Sequence, residues 1–573
     1  MNSEVILIKI VIIGGVAGGA SAAARLRRLD EQAQIIMFER GEFISFANCG
    51  LPYYIGEDIK ERDELELQTP DSFNARFNVD VRTFSQVVEI NRSNKKLTVE
   101  NTTTGEIYTE SYDKLILSPG AKPVIPPIKG ADNAKVFTVR TIPDAVKIKE
   151  YIDHKKPTSA AVVGGGYIGV EMAENLKNIG LDVTIIEMSD HVIASLDYDM
   201  ACDVHNYLRK KGICLQLSNG LESIVDQEEK LTLKLKSGAL SVDMIIMAVG
   251  VQPESELARQ SGLITNERGA IITNEYMSTS DEDIYAVGDA VEVTELVTGE
   301  KSYIPLAGPA NKQGRIAADN ICGIKSRYKG TQGSAVLKIF DMTVAVTGIT
   351  EATAKARNIN YDKSFTLSSS HAGYYPGSND MSIKTIYEKN TGRIIGAQIV
   401  GYDGVDKRSD VFSVAIRAGL TAYDLTEMEL CYAPPFSSAK DPVNFAGYVI
   451  ENLLLGRVKQ FHWNDVDKLP RDGTVNLLDV RTPLEYEDGH INGFINIELD
   501  TLRESIGNLD LKKPVLDKSK PVYVHCRSGL RSYIACRILT QSGYDCYNLS
   551  GGYRLYDSVV GGKAAEKFSC NVK

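Results

Sequence analysis

One local pattern occurs twice in this chain and restricts its fold more than any other feature. An apolar run at residues 10–13 leads into the turn GGVAGG at 14–19, a small-residue helix predicted over 20–29, a second apolar run at 35–38 and then Glu39. Further on, the run 160–163 leads into GGGYIG at 164–169, a helix through Leu176, the run 183–186 and Glu187. A helix N-terminus offers unpaired NH groups and a partial positive charge, and glycine lets a pyrophosphate approach the backbone closely. Strand, glycine turn, helix, strand and acidic strand end therefore predict a dinucleotide-binding unit, and the chain holds two.

The second turn has the full spacing, with Gly164, Gly166 and Gly169. Glu187 follows where a carboxylate accepts from both ribose hydroxyls and repels a 2′-phosphate, so NADH is favoured and NADPH stays possible. In the first turn Val16 takes the place of the second glycine, while Gly14, Gly19 and Glu39 keep the frame. The string TSDEDIYAVGDA at 279–290 adds a strand ending in Gly288 and Asp289, whose carboxylate can meet a ribityl hydroxyl of a flavin.

A length of 573 residues exceeds what one core supports and suggests roughly four units. The net charge of −11 argues against a nucleic-acid surface, which draws its affinity from clustered Lys and Arg. Residues 5–13 are interrupted by Lys9 and too short to span a membrane, so they read as a buried strand. Nine cysteines without a CxxC pair fit a reducing cytoplasm better than a disulfide scaffold or a metal site. Past residue 332 the runs 335–339 and 394–400 precede a helix at 410–418, a mixed α/β unit over 333–455. Residues 456–473, with the single Trp463, read as a linker, and strands at 475–478 and 522–524 mark a last compact unit over 474–573.

The strings GGVAGG, LSPGA, GGGYIG, MAVGVQP and YAVGDA stand in this order along the chain. In this the sequence resembles the two-dinucleotide-binding flavoprotein disulfide reductases. The resemblance implies an FAD domain in two parts, 1–150 and 256–332, an inserted NADH domain at 151–255, and a dimerisation domain. It also implies that Gly14, Ala17, Gly18, Glu39, Arg40, Ser118, Gly120, Asp289 and Leu306 line FAD.

In SFANCGLPYY, Cys49 taken alone would read as a small buried hydrophobe. Within that family the same position faces the isoalloxazine ring, and a flavin, helix NH groups or a nearby cation would lower its pKa. The next cysteine is Cys202, so Cys49 has no local resolving partner and must cycle through a mixed disulfide, a persulfide or a sulfenic acid. NADH oxidases and peroxidases using a sulfenic acid are the alternative reading. The peroxidases carry a histidine in the first glycine turn, where this chain has Ala17, which favours sulfur substrates.

CYAPPFSSAKDPVN at 431–444 and HAGYYPG at 371–377 make the sequence similar to coenzyme A disulfide reductases fused to a rhodanese domain. That resemblance places Tyr374 and Tyr432 near the reactive sulfur, with Tyr432 given by the partner of a homodimer. Ser21, Arg25 and Arg28 lie on one face of the first helix, where they can meet coenzyme A phosphates. Ser45, Asn48 and Lys440 match the family's substrate contacts, and Arg76 stands beside Phe77, where some members carry a lysine.

LLDVRTPLEYEDGHINGFINI at 477–497 and VHCRSGLRS at 524–532 resemble the rhodanese family. Cys526 opens a loop whose NH groups can converge on its sulfur, and Arg527 and Arg531 are expected to favour a thiolate and attract an anionic sulfane-sulfur donor. Four residues separate Cys526 from Arg531, a ring suited to sulfur rather than phosphate. The expected activity is reduction of a coenzyme A persulfide or disulfide, or of polysulfide, by NADH, coupled to sulfur transfer.

Overall fold

The computed structural model describes residues 7–507 and 516–566. They form two compact units: residues up to Met188 with Asn219–Gly333, and Ser189–Ser218 with the chain from Ser334 onward.

The first unit opens with β1 (Lys9–Ile13), α1 (Ala17–Leu29), β2 (Gln34–Phe38), α2 (Leu51–Ile55), α3 (Pro70–Phe77), β3 (Asp80–Arg82) and β4 (Lys114–Leu117). It continues through β5 (Val136–Phe137), β6 (Ser159–Val163), α4 (Tyr167–Asn178) and β7 (Asp182–Ile186). The chain passes through α5 (Tyr198–Lys210), in the second unit, and returns for β8 (Met244–Met247), β9 (Ile284–Ala286) and α6 (Ala307–Ile321). Two parallel arrays result, in the orders β9-β4-β1-β2-β3 and β7-β6-β8-β5. Parallel strands are covered on both faces, so KIVII and SAAVV appear as unbroken apolar runs.

Helix α1 begins at Ala17, before the expected residue 20, and takes Gly18 and Gly19 into its first turn. Close packing overrides their poor helix propensity. A Cβ on Gly19 would strike the Gly14 carbonyl, and one on Gly314 of α6 would strike the carbonyl of Gly18.

In the second unit β10 (Ala335–Ile339), β11 (Met342–Gly348), β12 (Tyr361–Ser369), β13 (Asp380–Glu388) and β14 (Ile394–Gly401) make an antiparallel sheet ordered β10-β11-β14-β13-β12. Helices α7 (Val405–Ala418) and α8 (Pro442–Leu454) follow. The terminal part holds β15 (Lys459–Phe461), β16 (Asn476–Asp479), α9 (Pro483–Asp488), β17 (Ile495–Asn496), β18 (Val522–His525), α10 (Leu530–Gln541), β19 (Cys546–Leu549) and α11 (Gly552–Glu566). Its parallel sheet has the order β15-β19-β18-β16-β17.

Several expectations need correction. Residues 456–473 are not a linker: β15 pairs with β19, and Phe461, Val466 and Leu469 join an apolar cluster with Leu477 and Phe494. Their apolar residues follow neither helical nor strand spacing, so the pattern concealed the burial. The segment Ser189–Ser218, expected inside the NADH domain, packs with the second unit. Lys384 of β13, fully buried, pairs with Asp199 at 2.8 Å, Glu351 at 2.8 Å and Asp197 at 3.0 Å. Asp203 of α5 accepts from Arg554 at 2.9 Å, Ser558 at 2.5 Å and Ser382 at 2.8 Å. The helix expected at 410–418 begins at Val405. No helix among the described residues is long and apolar enough to cross a membrane.

Candidate functional site

Both acidic strand ends fold back onto their own glycine turns. The Glu39 carboxylate accepts from the NH of Gly15 at 3.0 Å and of Gly41 at 3.1 Å, and Glu187 accepts from the NH of Gly165 at 2.7 Å. Gly14 and Gly164 hold φ of +97° and +105°, which L side chains rarely adopt. At Gly166 nothing lies within 4 Å of where a Cβ would sit, so the start of α4 is open to a pyrophosphate, and Gly169 closes the turn against the Gly164 carbonyl. These cradles fit two dinucleotides, FAD on α1 and a nicotinamide on α4.

Around the first cradle, a Cβ on Gly18 would reach Ser118 Oγ, Gly120 turns at φ +75°, and Leu306 stands at the N-cap of α6. Arg40 and Arg140 both pair with Glu254, and Arg140 also donates to the Pro119 carbonyl at 3.2 Å. Burial raises the pKa of Asp289, and Arg140 partly opposes the rise.

Cys49 is exposed on the short 3-10 turn Asn48–Gly50, which feeds directly into α2. Helix α2 packs on α4, and the Tyr53 hydroxyl faces Glu171 Oε1 at 3.4 Å. Burial, reinforced by Glu174, pushes Glu171 up to about 7. Partial burial, then the charges of Glu171 and Asp289, push the Cys49 thiol up as well. The expected lowering by a nearby cation is therefore corrected: the titratable groups acting on this sulfur are carboxylates. The sequence reading passed over Glu171 and Tyr53; Glu171 stands two residues past Gly169 and looked like any charged helix position.

This arrangement has a pH signature. Above about pH 7 Glu171 carries its charge and opposes the Cys49 thiolate, whereas below it the carboxyl is neutral. Glu171→Gln should therefore make Cys49 roughly two- to fivefold faster to alkylate with iodoacetamide in mildly alkaline buffer. The two proteins should converge in mildly acidic buffer. A constant ratio across the range would show that the Glu171 charge does not act on the sulfur.

Beside α1 lies a cavity of about 430 Å³. Its wall includes Ser21, Arg25 and Arg28 of α1, Ser45, Arg76 of α3, and Asn311 and Arg315 of α6. Ser21 donates to Asn311 at 2.5 Å, and Arg25 pairs with Asp319 at 2.7 Å. Arg28, Arg76 and Arg315 reach solvent, which suits a ligand with several phosphates. Five expected substrate residues meet here, whereas Asn48 lies off the wall and Lys440 sits exposed in the second unit, before the N-cap of α8. Asn311 and Arg315 were missed because they come nearly three hundred residues after α1.

In the second unit the hydroxyls of Tyr374 and Tyr432 lie 3.1 Å apart. Both rings project outward, at 76% and 49% exposure, beside the exposed Phe436.

Cys526 is buried at the carboxyl end of β18, the central strand of the terminal sheet. Its sulfur accepts from the NH of Gly529 at 3.1 Å and from Ser532 Oγ at 3.3 Å. Gly529 has φ +100° as N-cap of α10, so the loop needs glycine to turn its NH inward. Neighbouring His525 is buried and pushed down to about 4 by that burial, so it stays neutral. The expected cations are not simply available: Arg531 pairs bidentately with Glu485 at 2.6 and 2.7 Å, and Arg527 lies 3.8 Å from Asp380.

Comparison with known proteins accords with this architecture. Residues 8–314 match the pyridine nucleotide-disulphide oxidoreductase family, residues 334–442 its dimerisation domain, and residues 462–558 the rhodanese-like domain. An NADH oxidase of Methanocaldococcus jannaschii is 39% identical over 76% of this chain and 97% of its own length. A coenzyme A disulfide reductase of Staphylococcus haemolyticus is 37% identical over 78% of this chain and all of its own. Two solved structures run nearly the whole length. Reduced CoADR-RHD of Bacillus anthracis has 49% identity and a TM-score of 0.93, covering 97% of this chain and 98% of that one. An NAD-dependent persulfide reductase from A. fulgidus has 39% identity and a TM-score of 0.89, covering 96% and 100%. With its paired glycine cradles, Cys49 beside the first of them and its terminal sulfur loop, the chain belongs to the pyridine nucleotide-disulphide oxidoreductases, enzymes that use FAD and NADH, in a form that carries a rhodanese-like domain.

Proposed function

We propose that this enzyme reduces coenzyme A persulfide, and more slowly coenzyme A disulfide, with NADH, and that Cys526 captures sulfane sulfur upstream of that step. The observation that carries the reading is the cavity uniting Ser21, Arg25, Arg28, Ser45 and Arg76 with Arg315, in the unit whose reactive thiol, Cys49, has no resolving cysteine in its own turn. Relatives named for coenzyme A disulfide and persulfide reduction support it.

In this reading the Cys49 thiolate attacks the inner sulfur of the persulfide. A Cys49–coenzyme A disulfide forms, and hydrosulfide leaves. FAD held by the first glycine turn and Glu39 would, once reduced by NADH, supply the electron pair that, with two protons, turns this disulfide into two thiols. Tyr374 and Tyr432, whose hydroxyls lie 3.1 Å apart in one chain, are together given by the partner subunit and hold the proton for the departing sulfur, so the working form is a homodimer, in a cytoplasm whose thiol pool keeps Cys49 reduced. The cavity arginines hold the coenzyme A phosphates, with Asn48 and Lys440 as further contacts. We take the FAD domain as 1–150 and 256–332, the NADH domain as 151–255, the dimerisation domain as 333–455, and the rhodanese domain from Lys459 onward.

Steady-state NADH oxidation with coenzyme A persulfide, coenzyme A disulfide, hydrogen peroxide and dioxygen tests the proposal. Sulfur substrates should win by at least about tenfold in kcat/KM, and NADH should outperform NADPH by about as much because Glu187 repels a 2′-phosphate. Peroxide or dioxygen turnover as efficient as persulfide turnover would reject it in favour of an oxidase.

A further inference from the structure

The loop around Cys526 carries two arginines, yet each faces a carboxylate. Arg531 spends both terminal nitrogens on Glu485, at 2.6 and 2.7 Å. Glu485 is itself fixed, because its carboxylate closes the capping box of α9 by accepting from the NH of Thr482 at 3.0 Å and its hydroxyl at 3.2 Å. Arg527 lies 3.8 Å from Asp380. The residues flanking the clamp are apolar and open to solvent: Leu484 at 77%, Leu530 at 49% and Ile534 at 38% exposure. Leu530 and Ile534 are one turn apart on α10 and so share a face. A doubly charged donor such as thiosulfate would meet compensated cations and greasy side chains, whereas an organic persulfide with an uncharged arm would find surface to cover.

We propose that Glu485 is a specificity-determining residue: by holding Arg531 it makes Cys526 take sulfane sulfur from organic persulfides with an uncharged, amide- or alkyl-bearing arm, in preference to thiosulfate. Asp380, 3.8 Å from Arg527, offsets part of that second charge, and Leu530 with Ile534 receives the arm. In the transfer the Cys526 thiolate attacks the terminal sulfur of R–S–SH, a new S–S bond forms on Cys526, and the old S–S bond breaks. Its electron pair leaves with the organic thiolate, so no oxidant or reductant is consumed. The inference rests on the reading of Cys526 as the sulfur-accepting thiol.

The test is single-turnover loading of the full-length chain, read by mass spectrometry as a gain of one sulfur on the peptide holding Cys526. Thiosulfate and N-acetylcysteamine persulfide, a neutral donor, are the probes. The wild type should load from the persulfide at least about tenfold faster, and Glu485→Gln, which keeps the capping acceptor, should raise thiosulfate loading about tenfold and leave persulfide loading within about twofold. Leu530→Ser should slow the persulfide about fivefold and leave thiosulfate unchanged. Asp380→Asn, away from the capping box, should raise thiosulfate loading too, and it decides the case if Glu485→Gln does not fold. Thiosulfate loading that equals the persulfide in the wild type, or that neither acidic variant raises, overturns the proposal. Loading that survives Cys526→Ser on the same peptide would instead overturn the underlying assignment of the acceptor.

Discussion

Cys49→Ser should leave NADH able to bleach the flavin's visible absorbance while turnover of coenzyme A persulfide and disulfide falls by about a thousandfold or more. The two half-reactions use different parts of the first unit. In the proposed reading nicotinamide binding depends on the turn from Gly164 to Gly169 and on Glu187, which lie far from the Asn48–Gly50 turn in sequence. Sulfur chemistry depends on a nucleophile, and a hydroxyl facing the carboxylates that already raise the Cys49 thiol would be a very poor one. Stopped-flow reduction and steady-state assays on one preparation separate the halves. Persulfide turnover near the wild-type level would remove Cys49 from the centre of the mechanism. Loss of flavin reduction together with turnover would point to a misfolded cofactor site instead.

Cys526→Ser should abolish sulfur capture, again by about a thousandfold or more, yet keep reduction of preformed coenzyme A persulfide within about twofold. The segment read from the sequence as a linker is not a free tether. Residues 459–461 are a strand of the terminal sheet, and Gln460 donates to the Lys363 carbonyl at 2.8 Å. Trp463 donates to Asp199 at 3.3 Å, and Arg554 binds Asp203. The terminal domain is therefore seated on the dimerisation sheet and α5 of its own unit. If Cys526→Ser slowed reduction of preformed persulfide as strongly as capture, the two cysteines could not be consecutive and separable.

What the sequence revealed and what it hid follow from how far apart the interacting residues lie. The glycine turns, their acidic strand ends and the Cys526 loop are each encoded within about thirty residues, where spacing reports geometry directly. Cys49 stood out because of a missing neighbour, which is also local. Five residues of the cavity wall, on α1, α3 and the loop at Ser45, were picked out from the sequence. Their partners Asn311 and Arg315 lie on α6, whose approach to α1 depends on Gly18 and Gly314, and no short string announces that contact. The clamp of Arg531 by Glu485 spans 46 residues, and the acidic surroundings of Cys49 join α2, α4 and the turn at Asp289. Charge signs near a nucleophile are set by tertiary contacts, so the arginines of the Cys526 loop did not announce the carboxylates that face them.

The seating of the terminal domain bears on how such a gene could be shortened. Ending the chain after Leu455 would strip Asp203 of Arg554 and Ser558, leave Asn206 without the Ser558 carbonyl, and deprive the Phe365 amide of the Ser550 hydroxyl. Trp463, which covers part of the acidic ring around Lys384, would go too. The remaining protein would carry newly uncovered acidic residues, Asp199 and Asp203, on α5. Fusion here is therefore not two proteins on one string: the sulfurtransferase end supplies part of its neighbour's own packing, and heredity can discard it only together with compensating changes on α5 and β13.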